Sequence, residues 1–379
     1  MAAPAIYLDY PATTPCDPRV IEAMLPFFSA KAGNPHNRQH AAGRAAAAAI
    51  EQARSQIAAL IGARPAQILF TSGATEANNL ALHGMARARQ ARGRHIVTVA
   101  SEHASVLEPL RALARDGFDI TVLPVDAAGL VDPERVAHAL RPDTILVSVM
   151  AANNEIGTIQ PLGAIGALCR ARGIPLHSDA AQAADRLALD VDALGIDLMS
   201  LSAHKLYGPP GIGALYLRAG DPVPLLQGGG QERGVRPGTL PTPLCVGFGQ
   251  AAALAGAART AEQVRLAALT DRLWQGLRRR LPDIRRNGDP AHSVAGLLSL
   301  RFPGIDATAL MEDLPDLALS SGAACNAASG LPSSVLTAIG LDAAAAQSTL
   351  RIGLGRFTGE ADIDRAIQLI GDAIPSRLG

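Results

Sequence analysis

The sequence predicts an α/β fold, in which a large domain is built on a mainly parallel seven-stranded sheet and is followed by a smaller α+β domain. Over roughly the first two thirds of the 379-residue chain, short apolar runs alternate with helical patterns, which is typical of a parallel sheet covered by helices on both faces. A second pattern follows, in which one long helical stretch precedes shorter strands and a final helix. We expect functional residues at the carboxyl ends of the parallel strands.

The predicted elements follow one another in a regular order. The strands of the large sheet are predicted at Ile68–Thr71, His95–Val99, Ile120–Leu123, Thr144–Val149, Pro175–His177, Leu198–Leu201 and Gly213–Leu217. Helices are predicted at Thr75–Ala88, Ala104–Arg115, Pro243–Arg280 and Glu360–Ile374, and the second domain adds strands at Leu297–Phe302 and Thr349–Ile352. We expect residues 16–259 to form the large domain, and residues 1–15 together with 260–379 to form the small one.

The composition favours a soluble globular protein and argues against several functional classes. Lysine and arginine total 34, aspartate and glutamate total 34, and 48% of the residues are hydrophobic. A formal net charge of zero gives no basis for binding nucleic acid or an anionic membrane. No apolar run reaches the ~18 residues of a membrane-spanning helix. The N-terminus lacks the pattern of a signal peptide, and because the cysteines show no disulfide pattern we expect a cytoplasmic location.

The four cysteines are widely spaced, at Cys16, Cys169, Cys245 and Cys325. Neither C-x-x-C nor H-E-x-x-H occurs, so we expect no disulfide framework and no metal site. The first three are interpreted as small buried hydrophobic residues. Cys325 differs because the stretch 320–330 consists mostly of small residues, in which a thiol is expected to be accessible and partly ionised to the nucleophilic thiolate.

Lysine is almost absent from this chain. Of the 34 basic residues, only Lys31 and Lys205 are lysines. Arginine stays charged in proteins, whereas lysine can lose its proton and attack a carbonyl. Lys31 lies near Gly33 in a predicted loop and is interpreted as a surface charge. Lys205 follows the predicted strand at 198–201, which is where an α/β enzyme places a lysine that attaches covalently to a carbonyl cofactor.

Polar residues that could contact a bound cofactor also follow two other predicted strands. Asp179 follows the strand at 175–177 and is either a helix N-cap or the partner of the pyridine nitrogen of pyridoxal phosphate, which a carboxylate keeps protonated. His103 follows the strand at 95–99 and is either a surface histidine near a helix start or a ring that stacks on a flat cofactor and moves protons.

Two further segments suggest anion binding. In 71–79 a strand passes into a helix through a glycine and small hydroxyl residues, so backbone N–H groups and the Thr75 hydroxyl are expected to bind a phosphate. The alternative for this segment is an ordinary helix cap. Arg351 lies within a strand-like apolar run, where a guanidinium needs a partner. That partner is either an internal carboxylate or the carboxylate of a substrate.

Together these segments resemble the cysteine desulfurases, which are pyridoxal-phosphate enzymes of the class V aminotransferase group. The resemblance covers nearly the whole chain and implies fold type I of the pyridoxal-phosphate-dependent transferases. The matching segments are YLDYPATTP at 7–15, GNP at 33–35, TSGATE at 71–76, NNEIG at 153–157, DAAQ at 179–182, HKLYGP at 204–209, GGGQER at 228–233, RPGT at 236–239 and the segment around Cys325.

The resemblance implies a role for each of these segments. Lys205, His103 and Cys325 would be catalytic, with Lys205 removing the substrate's α-proton and Cys325, in a loop at about 320–333, taking the sulfur. Asn154 and Arg351 would bind the substrate carboxylate. Pyridoxal phosphate would be bound by Ala74, Thr75, His103, Asn154, Asp179, Gln182, Ser202, His204, Lys205 and Thr239, of which Thr239 would come from the neighbouring subunit of a homodimer.

The implied activity is conversion of L-cysteine to L-alanine, with transfer of the sulfur as a Cys325 persulfide. A scaffold or sulfurtransferase protein would accept the sulfur for iron–sulfur cluster or other thio-cofactor biosynthesis. Two alternatives use the same fold, namely a selenocysteine lyase and an aminotransferase. A third is a regulatory homologue that has lost catalysis, but the presence of Lys205, Asp179 and Cys325 argues against it.

Overall fold

The structure of the chain is a computed structural model that describes residues 5–218, 220, 222–321 and 332–374. The predicted nucleophile Cys325 lies outside the described residues. Strands and helices are numbered here in chain order, and the first three elements are β1 (Ile6–Tyr7), α1 (Pro18–Met24) and α2 (Ala41–Leu60).

Within the described residues the large sheet has seven strands. They are β2 (Ile68–Thr71), β3 (His95–Val99), β4 (Asp119–Leu123), β5 (Thr144–Ser148), β6 (Leu176–Asp179), β7 (Leu198–Ser202) and β8 (Gly213–Leu217). Their spatial order is β2-β8-β7-β6-β5-β3-β4. The β3, β4, β5, β6 and β7 pairings are parallel, and β8 runs antiparallel to both β2 and β7. The predicted mainly parallel seven-stranded sheet is therefore confirmed.

Helices cover both faces of this sheet. They are α3 (Ala74–Arg89), α4 (Ala104–Arg115), α5 (Pro133–Ala139), α6 (Leu162–Ala171) and the first part of α7 (Thr242–Arg280). Successive strand residues point to opposite faces, so Phe70 joins a core with α2 and α7, whereas Leu69 joins a core with α3 and α4. The predicted strand at 175–177 is displaced to 176–179, because Pro175 has no N–H to donate to a neighbouring strand.

The rest of the chain forms shorter elements. The strands are β9 (Arg285–Arg286), β10 (Leu297–Arg301), β11 (Leu317–Ala318), β12 (Ser320–Ser321) and β13 (Thr349–Gly353). The helices are α8 (Ala307–Glu312), α9 (Ser334–Ala338), α10 (Ala343–Gln347) and α11 (Glu360–Ala373). Among the described residues, β12, β13, β10 and β9 form an antiparallel sheet in that order, and β1 pairs with β11 in parallel.

Helix α7 runs without interruption through the predicted domain boundary. Its early residue Phe248 packs in the core of the large sheet, and its later residues Leu266 and Leu273 pack in a separate core that also contains Leu8. This change of core along one helix agrees with a division near residue 260, which stays a prediction. In the part of the chain that the structure describes, no helix is both long and apolar enough to cross a membrane.

Candidate active site

A cavity of about 560 Å³ lies at the carboxyl ends of the parallel strands. Such an edge is where ligands of α/β sheets bind. Ten of the predicted site residues line it: Ala74, Thr75, His103, Asn154, Asp179, Gln182, Ser202, His204, Lys205 and Arg351. Thr239 is exposed and is not among the residues that line this cavity. Residues that are up to 277 positions apart in the sequence are therefore brought together by the sheet and by β13.

Lys205 ends the short 3₁₀ turn that follows β7. Its Nζ donates to the carbonyl oxygens of Pro11 at 2.5 Å and Ala12 at 2.8 Å. The turn is held by Tyr207, whose φ of 64° is in the left-handed region that non-glycine residues rarely adopt. The Tyr207 N–H donates to Thr14 Oγ1 at 2.7 Å.

Asp179 is the last residue of β6 and is 6% exposed. Its Oδ2 accepts from Asn78 Nδ2 at 2.6 Å, and its Oδ1 accepts from the Ala181 N–H at 2.9 Å. Asn78 also donates to Ser105 Oγ at 2.8 Å. Asp179 therefore caps the turn that follows β6, and it also lines the cavity, whereas its pairing with a pyridine nitrogen stays a prediction. Donors on two sides hold the carboxylate in one orientation.

His103 lies at the start of α4, and its side chain also serves two purposes. Its Nδ1 accepts from the Ser105 N–H at 3.1 Å and caps the helix, while the ring lines the cavity. Burial lowers the pKa of His103, an effect that the negative charge of Asp179 opposes and the nearby Lys205 reinforces. The imidazole is therefore neutral at pH 7, which suits a ring that packs against another aromatic ring.

The N-terminus of α3 forms one end of the cavity. Ser72, Gly73, Ala74 and Thr75 line the cavity where β2 passes into the 16-residue helix α3. Gly213 of β8 packs so closely here that a Cβ on it would lie 2.6 Å from Gly73 Cα. The unpaired N–H groups and the positive helix end make this a suitable phosphate site.

Three other side chains complete the cavity wall on the Lys205 side. Gln182 donates through Nε2 to the Pro11 carbonyl at 2.7 Å, and His204 Nδ1 lies 3.0 Å from Thr13 Oγ1. Ser202 ends β7 and is 2% exposed. Burial, with a smaller effect of Lys205, lowers the pKa of His204 to about 4, so this histidine is a neutral hydrogen-bonding group at pH 7.

Arg351 enters the cavity from β13 and is 4% exposed. Its Nη2 donates to Asp9 Oδ1 at 2.9 Å, its Nε donates to Ser320 Oγ at 3.0 Å and its Nη1 donates to the Asn154 carbonyl at 3.1 Å. The internal salt bridge is thus present, and the guanidinium also lines the cavity. Buried Asn154 Oδ1 has no hydrogen-bonding partner among the described residues.

Sequence reasoning did not assign a role to several residues that line or support this site. Asn78 orients Asp179, and the Pro11 carbonyl accepts hydrogen bonds from both Lys205 and Gln182. Glu102 is 1% exposed and accepts from the Met150 N–H at 2.7 Å, and its pKa is raised well above its ordinary value by burial and by Asp179. A polar residue at a buried position of α3 was the available signal for Asn78.

The cysteine interpretation is correct for two residues and wrong for a third. Cys169 and Cys245 are buried, whereas Cys16 is only partly buried. Cys16 lies in the loop before α1, where the chain runs along the surface and the buried position is taken by its neighbour Asp17. Among the described residues no cluster of histidine, cysteine and acidic side chains could bind a metal ion.

The residues of this cavity fit pyridoxal phosphate. A lysine for the carbonyl, a carboxylate for the ring nitrogen and a helix N-terminus for the phosphate are the groups that this cofactor requires. The unsatisfied Asn154 Oδ1 is a buried acceptor that a ligand can satisfy. The cavity volume is in the range found for cofactor sites.

Comparison with known proteins agrees with this geometry. The family model for class-V aminotransferases matches residues 6–366. A cysteine desulfurase of Homo sapiens is 48% identical over 366 residues, which cover 96% of this chain and 80% of the human protein.

Two solved structures also match. One, described as a NifS-like protein, has a TM-score of 0.92 and 34% identity and covers 98% of this chain and all of its own. The other, SspA in complex with cysteine, has a TM-score of 0.83 and 40% identity and covers 92% of this chain and 98% of its own. The chain therefore belongs to the class-V aminotransferase family and, within it, to the cysteine desulfurases.

Proposed function

We propose that this chain is a pyridoxal-phosphate-dependent enzyme that converts L-cysteine to L-alanine and takes the sulfur on Cys325 as a persulfide. The observation that carries this proposal is the meeting of Lys205, Asp179 and the α3 N-terminus at one cavity, with Arg351 on its wall. Cysteine is the substrate named for the relatives and the molecule named with SspA.

The cofactor would be held by a carboxylate at its ring nitrogen and by hydrogen-bond donors at its phosphate. When bound, pyridoxal phosphate supplies an electron sink conjugated with the substrate's α-carbon. Lys205 would be the covalent attachment site, Asp179 would accept from the ring nitrogen and Gln182 would donate to the ring hydroxyl. His103 would pack against the ring. Ala74, Thr75, Ser202 and His204 would bind the phosphate, with the neutral His204 ring donating one hydrogen bond.

Substrate binding requires Arg351 to exchange partners. A substrate carboxylate would bind the guanidinium of Arg351 and the amide of Asn154, in place of the Asp9 carboxylate that Arg351 contacts in this structure. Lys205 Nζ would leave the carbonyls of Pro11 and Ala12 and take the α-proton of the substrate. A lysine near the α-carbon suits this step because it can bind and release a proton.

The sulfur step balances without an external oxidant. The Cys325 thiolate attacks the substrate sulfur, the bond between that sulfur and the substrate Cβ breaks, and an S–S bond forms on Cys325. The electron pair of the broken bond stays on carbon and is protonated, which gives alanine. A sulfur-acceptor protein with a nucleophilic thiol would then take the terminal sulfur by the same type of exchange.

We further propose a homodimer in which Thr239 binds the cofactor phosphate of the partner. Thr239 is exposed, and neither it nor the preceding segment 228–238 lines the cavity of its own subunit. In that segment Glu232 has a φ of 45°, and its buried carboxylate accepts from both arms of Arg54, at 2.8 and 2.9 Å.

Thr239→Val is expected to weaken cofactor binding about 10- to 100-fold, since a hydrogen bond to a charged group contributes roughly 1.5–3 kcal/mol. Titration of the apoenzyme, followed by cofactor absorbance, measures this. Heterodimers that pair a Thr239→Val subunit with a Lys205→Ala subunit decide whether Thr239 acts across subunits. The Thr239→Val subunit keeps its own Lys205 and would receive the intact Thr239 of the other subunit, so tight cofactor binding is expected to return at that site. If binding stays weak in the heterodimer, Thr239 acts within its own subunit or only structurally.

Product analysis tests the reaction type. Wild-type holoenzyme with L-cysteine and a thiol reductant is expected to form alanine and sulfide in equal amounts, with no requirement for a keto acid. Formation of alanine only when a keto acid is added would identify an aminotransferase. Reaction with L-selenocysteine but not with L-cysteine would identify a selenocysteine lyase. Absence of cofactor binding would support the non-catalytic alternative.

A further inference from the structure

Glu155 is a buried carboxylate that the proposed reaction does not use. It is 8% exposed and follows Asn154 in the loop after β5. Its Oε2 accepts from Ser333 Oγ at 2.5 Å. Burial raises the pKa of Glu155 to about 7, although Ser333 and the positive charge of Arg351 lower it. Burying a carboxyl group costs free energy unless the group has a hydrogen-bonding partner.

The hydrogen-bonding partner of Glu155 is Ser333, the residue that precedes α9. Ser333 is 2% exposed, and its Oγ accepts from the Leu336 N–H at 3.1 Å as the N-cap of α9. Behind this contact, Ile156 packs with Val335 and Leu336 in a small apolar cluster. The loop after β5 and the start of α9 are therefore joined by a hydrogen bond and by an apolar contact.

The same loop also supports Arg351. The Asn154 carbonyl accepts from Arg351 Nη1 at 3.1 Å, and Arg351 Nε donates to Ser320 Oγ at 3.0 Å. Ser320 precedes Cys325 by five residues, and Ser333 follows it by eight. Both flanks of the segment that contains Cys325 are thus hydrogen-bonded to residues that border or line the cavity.

We propose that Glu155 is a positioning residue for sulfur transfer, which acts through Ser333 to fix the point at which the chain returns from Cys325 relative to the bound substrate. The proposal rests on the proposed role of Cys325 as the sulfur acceptor. Glu155 contacts neither substrate nor cofactor in this account. Its effect is confined to the step in which the distance between Cys325 and the substrate sulfur matters.

The test uses full-length holoenzyme with Glu155→Gln, Ser333→Ala and the double variant. We expect the Kd of L-cysteine, read from the cofactor absorbance, to stay within about twofold of wild type, because the cavity residues are unchanged. Single-turnover formation of alanine and of persulfide on Cys325 is expected to slow about 10- to 100-fold in Ser333→Ala, which leaves the buried Glu155 carboxyl group without its partner. Glu155→Gln keeps an oxygen that can accept from Ser333 and is expected to slow this step by less, about 2- to 10-fold. The double variant is expected to be no slower than the slower single variant.

Two control variants separate positioning from general loss of structure. Ser333→Thr keeps the hydroxyl and is expected to transfer sulfur at close to the wild-type rate. Asp342→Ala removes the N-cap of neighbouring α10, whose Oδ1 accepts from the Ala345 N–H at 2.8 Å, without touching the loop after β5. It is expected to lower the melting temperature but to leave the single-turnover rate within about threefold.

Several outcomes would overturn the proposal. Wild-type transfer rates in Glu155→Gln and Ser333→Ala would do so, as would equal losses in binding and transfer or additive losses in the double variant. Measuring Cys325→Ala in the same assay distinguishes failure of the positioning role from failure of the proposed function. If Cys325→Ala still forms persulfide and alanine, the role of Cys325 is wrong. If it is inactive while Ser333→Ala and Glu155→Gln are both unaffected, only the positioning role is wrong.

Discussion

Lys205→Arg is expected to lower alanine formation from L-cysteine by about three orders of magnitude or more, because one residue loses two roles. Arginine retains the positive charge and much of the length of lysine. It cannot lose its proton in a protein, so it can neither attach to a carbonyl nor accept the substrate α-proton. The hydrogen bonds from Lys205 Nζ to the Pro11 and Ala12 carbonyls can be partly retained by a guanidinium, so the loss should be chemical and not structural.

The other lysine of the chain provides the matched control. Lys31 is exposed and lies 5.6 Å from the Phe27 ring centroid, so Lys31→Arg is expected to keep wild-type activity and melting temperature. Borohydride reduction of the holoenzyme, followed by peptide mass analysis, is expected to find the cofactor on the peptide that contains Lys205. Cofactor attached at Lys31, or an active Lys205→Arg variant, would contradict the assignment.

Asp179→Asn is expected to reduce kcat by about 10²- to 10³-fold, the scale of losing one preorganised electrostatic contact in an active site. A neutral amide cannot keep the pyridine nitrogen protonated, so the electron sink is weakened even though the side chain has the same shape. One carboxylate oxygen is also replaced by an amide that clashes with a donor, either the Asn78 side chain or the Ala181 N–H. At saturating cofactor the loss should appear in kcat more than in KM.

Asn78→Ala serves as the comparison for Asp179→Asn. It removes a donor to the Asp179 carboxylate but keeps the negative charge, so a smaller loss in kcat is expected. Steady-state alanine formation at saturating pyridoxal phosphate measures both. If Asp179→Asn stays within tenfold of wild type, or if Asn78→Ala is the more damaging change, the carboxylate does not act through its charge.

The ends of the parallel strands could be predicted because each strand is marked by a short apolar run in the sequence. Apolar runs mark β3, β6 and β7, and residues after such strands meet at one edge of the sheet. That reasoning alone brings His103, Asp179 and Lys205 together, and the structure places all three around one cavity. Their catalytic roles are proposals that the experiments above test.

The missed contacts are those that join distant segments without a periodic pattern. No spacing in the sequence relates Pro11 to Lys205 or Glu155 to Ser333, because each pair depends on how the second half of the chain packs on the first. The two-residue strand β12 was missed for a similar reason. It is defined by pairing with β13 and not by its own composition.

Sulfur transfer to Cys325 is the central claim, and one side-by-side measurement tests it most directly. Wild type, Cys325→Ala and Cys16→Ala are given L-cysteine, and alanine and protein-bound persulfide are measured in a single turnover. Cys16 is the control because it is a partly exposed thiol elsewhere in the chain. We predict stoichiometric alanine and persulfide from wild type and Cys16→Ala, and almost none from Cys325→Ala. Equal alanine from all three proteins would contradict the account and leave sulfur release without a protein nucleophile.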